Sequence, residues 1–279
     1  MTSGTQGRSF RPMLFDGLKR TPLPDDPARG QEALEPLPGL SGRAADLIVG
    51  TAGSSPFLAG LLRREAEWLD GQIEATPEQA LQGILERAAK AEGDPAGLLR
   101  TEKRRLALLV GLLDLGGAWD LDQVTGALTD FADTALQRAM VEAVRAEARR
   151  RKLGALNPDE VGPEAAGLVA LAMGKMGARE LNYSSDIDLI LLIDDEIWPG
   201  DAFAEARPAF LKATRRAMAT LSEITGEGYV FRTDLRLRPD ASVTPVAIGM
   251  AAAEEYYESV GRTWERAAFI KARAAAGDI

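Results

Sequence analysis

Apolar and polar positions alternate along the chain with two different textures. From Ser41 to about Lys152 the spacing is helical. One helix is expected from Ser55-Pro56 to about Leu69, with Ser55 as N-cap and Pro56 at the first helical position, where a missing N–H costs nothing. Thr76-Pro77-Glu78 starts another by the same logic. Leu98, Leu99, Leu106, Leu109, Val110 and Leu113 form a stripe that ends at Gly116-Gly117, an expected helix stop. A long helix is expected from about Asp120 to Lys152, turning Val124, Leu128, Phe131, Ala135 and Leu136 inward. Its basic end (Arg145, Arg149, Arg150, Arg151, Lys152) complements the helix dipole and is expected to face solvent.

After Gly154 the texture changes. Leu168–Met173 is a short apolar run bounded by Gly167 and Gly174, and Ile187–Ile193 is a second, both as buried strands would be. Asp201–Ile224 reads as a helix carrying Phe203, Phe210, Leu211, Met218 and Leu221. Tyr229–Arg238 alternates strictly and predicts a strand, with Phe231, Thr233, Leu235 and Leu237 on a core face and Arg232, Asp234, Arg236 and Arg238 on the other. Residues 1–40, rich in Gly, Pro and charge, read as an extended lead-in.

Composition narrows the chemistry. The 279 residues contain no Cys and no His, which removes thiol and Ser–His nucleophiles, disulfides, and Cys- or His-ligated metals. Any metal must be a hard, oxygen-bound ion such as Mg²⁺ or Mn²⁺. A net charge of −9 argues against a nucleic-acid partner. The apolar run Leu106–Leu113 is 8 residues long, where a membrane span needs ~20, so no membrane association and a cytoplasmic location are expected.

Asp186 and Asp188 stand two apart at the mouth of the expected strand, so both carboxylates share one face while Ile187 and Leu189 enter the core. Two carboxylates this close repel, and a divalent cation relieves the repulsion. Asp234 is a third candidate if its strand pairs beside the first. Three such carboxylates could hold two Mg²⁺ or Mn²⁺ ions about 3.5–4 Å apart, the arrangement used for in-line displacement at phosphorus. Arg236 and Arg238, on the face of Asp234, could hold phosphate oxygens. A bare Asp-x-Asp is common in surface turns, and either arginine could simply form salt bridges. The combination of a strand, Gly174, eleven residues, Asp-x-Asp and a third Asp is harder to explain by packing.

The spacing Gly174-x₁₁-Asp186-x-Asp188 resembles that of nucleotidyltransferases with the DNA polymerase β-like palm. The longer stretches Gly174-Lys-Met-Gly-Ala-Arg-Glu-Leu-Asn-Tyr-Ser-Ser-Asp-Ile-Asp and Val230-Phe-Arg-Thr-Asp-Leu-Arg-Leu-Arg-Pro239 resemble the bifunctional glutamine synthetase adenylyltransferase/adenylyl-removing family. Trp264-Glu-Arg266, Phe269-Ile-Lys-Ala-Arg273, Ser55-Pro-Phe-Leu58 and Leu113-Asp-Leu-Gly-Gly-Ala-Trp-Asp120 do likewise, so the likeness covers roughly residues 40–279. The resemblance implies an α+β fold: a helical region (41–152), a polymerase β-like nucleotidyltransferase domain (153–248) and the start of a following helical region (249–279).

The wording around Asp186 is that of the family's amino-terminal half, which removes AMP from a tyrosine of glutamine synthetase by phosphorolysis and releases ADP, whereas the other half adds AMP from ATP. The resemblance implies metal ligation by Asp186, Asp188 and Asp234, a nucleotide-cradling turn at Gly174 and Ser185, glutamine synthetase as partner and the signalling protein PII as a possible regulator. Phosphate arrives already anionic, so this chemistry needs no imidazole base. Ala178 departs from the family's usual Gly-Gly pair, and is tolerable unless that position needs φ > 0. The family's proteins continue well beyond this length, so a truncated piece is expected. A PII-type uridylyltransferase-like enzyme and an inactive binding module for glutamine synthetase or PII are the alternatives.

Overall fold

The computed structural model describes residues 13–154, 156–198 and 201–277. Its helices and strands run in the order α1 (Pro27–Leu34), α2 (Gly42–Ser54), α3 (Pro56–Arg64), α4 (Ala66–Asp70), α5 (Pro77–Ala89), α6 (Ala96–Leu115), α7 (Leu121–Arg149), β1 (Leu168–Ala172), α8 (Gly174–Gly177), β2 (Ile187–Ile193), α9 (Asp201–Ser222), β3 (Thr233–Asp234), β4 (Ala247–Gly249), α10 (Met250–Ser259), α11 (Thr263–Ala268) and β5 (Arg273–Ala276). This is an α+β fold in which helices flank a small mixed sheet, as expected. The chain divides into two compact units, one of residues 1–84 and 104–124, the other of 85–103 and 125–279.

In the first unit the N-caps behave as the sequence predicts. Leu58 N–H donates to Ser55 Oγ at 3.2 Å at the start of α3. Thr76 and Gln79 cap each other reciprocally at the start of α5, Gln79 N–H on Thr76 Oγ1 and Thr76 N–H on Gln79 Oε1. The helix expected over Ser55–Leu69 is interrupted at Glu65, where φ is −113° and ψ 20°. The buried Glu65 carboxylate there accepts bonds from Arg104 (2.9 Å) and Arg105 (3.1 Å). At Gly117 the chain turns left-handed (φ 67°) and stops α6, as expected.

The expected extended lead-in is packed instead. Residues 1–12 lie outside the described residues, but Pro27–Leu34 is helical with Asp26 as its cap, and Leu14, Phe15, Leu18, Leu37 and Leu40 are buried. Burial of these side chains outweighs the extended preference of the prolines. A Cβ on Gly50 would lie 1.9 Å from the Pro22 carbonyl oxygen, so the Pro-rich segment lies directly on α2.

The second unit contains the sheet. Its order is β3-β2-β1-β5, with β4 also paired to β2. β1 and β2 are antiparallel from Leu168–Ile193 to Ala172–Leu189, and β5 runs antiparallel to β1. Both β3 and β4 lie parallel to β2 on the same side, β3 at its start and β4 at its end. Five of the seven β2 residues are buried, which explains its nearly unbroken apolar run. α9 covers the sheet residues' apolar demand with Ala206, Ala209, Phe210, Ala213, Ala217, Met218 and Leu221, buried at helical spacing.

One expectation is corrected here. The expected strand Tyr229–Arg238 shortens to Thr233–Asp234, because Val230 and Phe231 are both buried, which breaks the alternation, and residues 235–244 fold into turns. Leu235, expected in the core, is only half-buried. The basic end of α7 faces solvent at Arg149, Arg150, Arg151 and Lys152, as expected, while Arg145 is half-buried. Arg145 donates to Glu142 (2.8 Å) and to the Val161 carbonyl (2.9 Å), and Arg150 pairs with Glu147, whose carboxylate is buried. The helix ends at Arg149, since Arg151 takes φ 53°.

Gly177 is the tightest point near the sheet. A Cβ there would lie 1.8 Å from the Lys271 carbonyl oxygen and 2.5 Å from that of Ala172. Gly177→Ala is expected to destabilise the unit by about 1–3 kcal/mol, because both neighbours are backbone. Gly126→Ala in α7, where the nearest atom is 3.9 Å away, is expected to be neutral or stabilising by up to ~1 kcal/mol. Thermal melting of the pair checks this, and equal Tm values would refute the close approach.

Lys103 offers a second check. Its Nζ lies 3.8 Å from the Phe231 ring centroid and 5.9 Å from that of Phe131, and burial pushes its pKa down from 10.5 to about 7. Between those values the unfolded chain holds the proton and the folded one releases it, so stability rises with pH through this window. Lys103→Met is expected to raise Tm most below about pH 7 and least near pH 10, and a pH-independent effect would show that the charge is not what costs stability.

Candidate functional site

The site grows from one short parallel pairing. Ile187 pairs with Thr233 and Asp188 with Asp234, so the two carboxylates stand side by side on one face, as the sequence reading required. Ile187 N–H donates to the Arg232 carbonyl at 2.9 Å, and the Arg232 guanidinium returns to the Ser184 carbonyl at 2.5 Å, tying the start of β3 to the turn before β2. Asp186 precedes the strand and is exposed. Asp188 is half-buried, and its carboxyl is held above the usual carboxylate range first by burial, then by the charges of Asp234 and Asp186. Asp234 moves the other way, held low mainly by its hydrogen bond from Arg236.

Gly174 opens the turn after β1 with φ 54°, and a Cβ on it would lie 3.2 Å from Asp188 Oδ2. Any side chain would therefore be strained and would crowd the carboxylate. Met173 N–H donates to the Asp188 carbonyl at 2.9 Å, which fixes the turn against β2. Ala178 has ordinary helical angles (φ −79°, ψ 0°), so the departure from the family's Gly-Gly pair is harmless. The left-handed position falls one residue later, at Arg179 (φ 60°), whose guanidinium holds Asp130 at 2.6 Å.

Three expected site residues have partners within the protein. Ser185 Oγ donates to Asn182 Oδ1 at 2.7 Å inside the turn. The Arg238 guanidinium donates to the carbonyls of Leu235 (2.6 Å), Ala241 (2.8 Å) and Thr244 (3.4 Å), so it shapes the 235–244 loop and is not a free phosphate ligand. Arg236 lies on Asp234 itself, with Nε 3.0 Å from Oδ1 and 2.8 Å from Oδ2. Once the strand ends at Asp234, the alternation that put these arginines on one face no longer applies.

Among the described residues no group of three carboxylates stands ready to ligate a metal. The donor chemistry nevertheless fits a hard divalent cation: two paired carboxylates, a third charge at Asp186 felt by Asp188, and a guanidinium already placed as counter-cation.

Sequence reasoning missed the supports. Lys271 Nζ holds Glu180 at 2.6 Å, and the Arg273 guanidinium reaches Asp133 (2.9 Å) and the Met176 carbonyl (3.3 Å), so residues 271–273 brace the turn that carries Gly174. In Trp264-Glu-Arg266, Glu265 is buried and accepts from Tyr256 Oη at 3.1 Å and Arg262 N–H at 2.7 Å, a structural role. Only the Arg232 contact had a signal in the sequence, through its alternation with Asp234.

Residues 46–279 match the family model described as glutamate-ammonia ligase adenylyltransferase. Among curated relatives, a bifunctional glutamine synthetase adenylyltransferase/adenylyl-removing enzyme of Bradyrhizobium sp. (strain ORS 278) is 46% identical over 246 residues, 86% of this chain and 25% of the relative. The protein of the same description from Caulobacter vibrioides is 45% identical over 283 residues, 97% of this chain and 29% of the relative. That from Rhodopseudomonas palustris (strain TIE-1) is 46% identical over 234 residues. The chain thus spans about a quarter of the length of the relatives it matches.

The electrostatics of Asp188 make a testable statement. A carboxyl whose folded pKa is raised costs stability as pH rises through that pKa. Without divalent cation, Asp188→Asn is expected to raise Tm at pH 7, because it removes a charge that burial and the neighbouring carboxylates disfavour. The gain should vanish near pH 3, where Asp188 is protonated, and a lower Tm at pH 7 would show that the carboxylate stabilises the fold.

Proposed function

The chain belongs to the glutamate-ammonia ligase adenylyltransferase family, and on that premise we propose that it is a metal-dependent nucleotidyl-transfer unit acting on glutamine synthetase. The reaction is phosphorolytic removal of AMP from an adenylylated tyrosine, in a family that also adenylylates the same protein from ATP. The observation that carries the reading is the register pair Asp188–Asp234 following Asp186, beside a glycine where any side chain would crowd Asp188. The proposed catalytic domain is residues 153–248, preceded by a helical region (41–152) and followed by another from 249.

In this reaction an oxygen of inorganic phosphate forms a bond to the AMP phosphorus, the bond from phosphorus to the tyrosyl oxygen breaks, and ADP leaves. Asp186, Asp188 and Asp234 would hold one or two Mg²⁺ or Mn²⁺ ions, which supply neutralisation of the charge that builds on the phosphoryl oxygens. The residues do the positioning. Gly174 keeps the approach to Asp188 open, and Arg232 fixes β3 against the turn before β2 so that Asp234 stays in register. The tyrosine oxygen, with a free pKa of about 10, leaves as a moderately stable anion and takes its proton from solvent. No side chain here has to act as a base, which agrees with a chain that contains no His.

Glutamine synthetase is the proposed protein substrate and PII the proposed regulator, in the cytoplasm. Among the described residues no helix is long and apolar enough to cross a membrane.

The test is incubation with adenylylated glutamine synthetase, phosphate and Mg²⁺ or Mn²⁺, followed by nucleotide analysis. Phosphate-dependent ADP is expected, and Asp186→Asn should reduce it by at least about 10²-fold, the size of effect that loss of one electrostatic stabiliser produces. ATP-dependent AMP incorporation without ADP release would reverse the proposed direction. Full turnover by Asp186→Asn would remove that residue from the site.

A further inference from the structure

Three arginines follow or flank β3, and their surroundings differ in a way that sorts their roles. Arg232 and Arg238 spend their guanidinium hydrogen bonds on backbone carbonyls, of Ser184 in one case and of Leu235, Ala241 and Thr244 in the other. Removing either would loosen a loop. Arg236 holds no carbonyl. Among the described residues its guanidinium bonds Asp234 alone, through Nε to both oxygens and Nη2 to Oδ2, and its side chain is 85% exposed.

Asp234 is held in two independent ways. The Arg236 backbone N–H donates to Oδ1 at 2.8 Å and fixes the carboxylate's orientation from within the chain. The guanidinium is a second, exposed partner, and such pairs contribute only about 0–1 kcal/mol. If the guanidinium leaves, the backbone bond keeps Oδ1 in place and frees Oδ2, on the carboxylate beside Asp188. The guanidinium charge is also felt by Asp186 and Asp188, so it stands over the whole carboxylate group.

We propose that Arg236 is an exchangeable internal counter-cation: it occupies Asp234 in the cation-free site, and a divalent cation binds by displacing its guanidinium from Oδ2 while the Arg236 N–H keeps Oδ1 positioned. This rests on the metal reading above and adds a competition to it. Arg236 therefore lowers the site's affinity for a bare divalent cation. Displaced, its side chain is free to swing toward solvent or toward an anion brought to the site.

The test is Mn²⁺ binding to the nucleotide-free protein, followed by calorimetry or by the loss of free-ion electron-spin resonance signal. Arg236→Gln, which keeps the backbone N–H and removes the charge, is expected to bind Mn²⁺ about three- to tenfold more tightly than the unaltered chain. Arg236→Lys, with the charge but no fork, should fall between them. In a parallel titration with diamagnetic Mg²⁺, the Nε–H resonance that is absent from Arg236→Gln should move in the unaltered chain with the same midpoint as metal binding. A purely structural arginine would not move it.

Equal or weaker Mn²⁺ binding by Arg236→Gln, with melting unchanged and with binding abolished by Asp234→Asn, would overturn the exchange and leave the metal site standing. Absence of Mn²⁺ binding in every form would overturn the metal reading and the exchange together.

Discussion

Asp188 and Asp234 are held opposite one another by the shortest possible stretch of parallel strand, and neither can retreat without losing a backbone pairing. Two like charges fixed in register repel, and that repulsion adds to burial in raising the pKa of Asp188. Much of the neighbouring structure is explained by what this fixed repulsion needs. The glycine that opens the turn leaves Asp188 uncrowded, the Arg232 side chain stops β3 from sliding, and Arg236 supplies the positive charge the pair lacks. Strands β1 and β2 are otherwise apolar and largely buried, so Asp188 is the one charged residue within either.

Strand β2 and the two carboxylates flanking its first residue were legible because their signals are local: an apolar run with a fixed period, interrupted by charge at its mouth. The N-caps at Ser55 and Thr76 were legible for the same reason, since each depends on residues three positions apart. What was not legible depends on side chains that reach backbone. Arg238 reads as the next outward residue of an alternating strand, yet its guanidinium gathers three carbonyls and curls the chain into a loop. Alternation cannot report that, because it weighs hydrophobicity and carries nothing about where a long donor finds acceptors.

The lead-in shows the complementary failure. Proline and glycine over residues 13–40 suggest an extended, solvated segment, and local preference alone gives no reason to expect otherwise. Leucines spaced among the prolines bury themselves, and Gly50 and Gly53 of α2 leave the grooves that Pro22 and Pro24 enter. Tertiary fit between glycine in one element and proline in another has no signature at either site taken singly.

The contact of Gly177 with the Lys271 carbonyl carries a consequence for how the site is kept in shape. Residues 271–273 come almost a hundred positions after the turn they brace, yet they meet it by packing at Gly177, by charge at Glu180 and by a hydrogen bond at the Met176 carbonyl. The turn's own helical bonds and its tie to β2 are thus reinforced from a segment distant in sequence, which makes residues 271–273 part of the scaffold of the site.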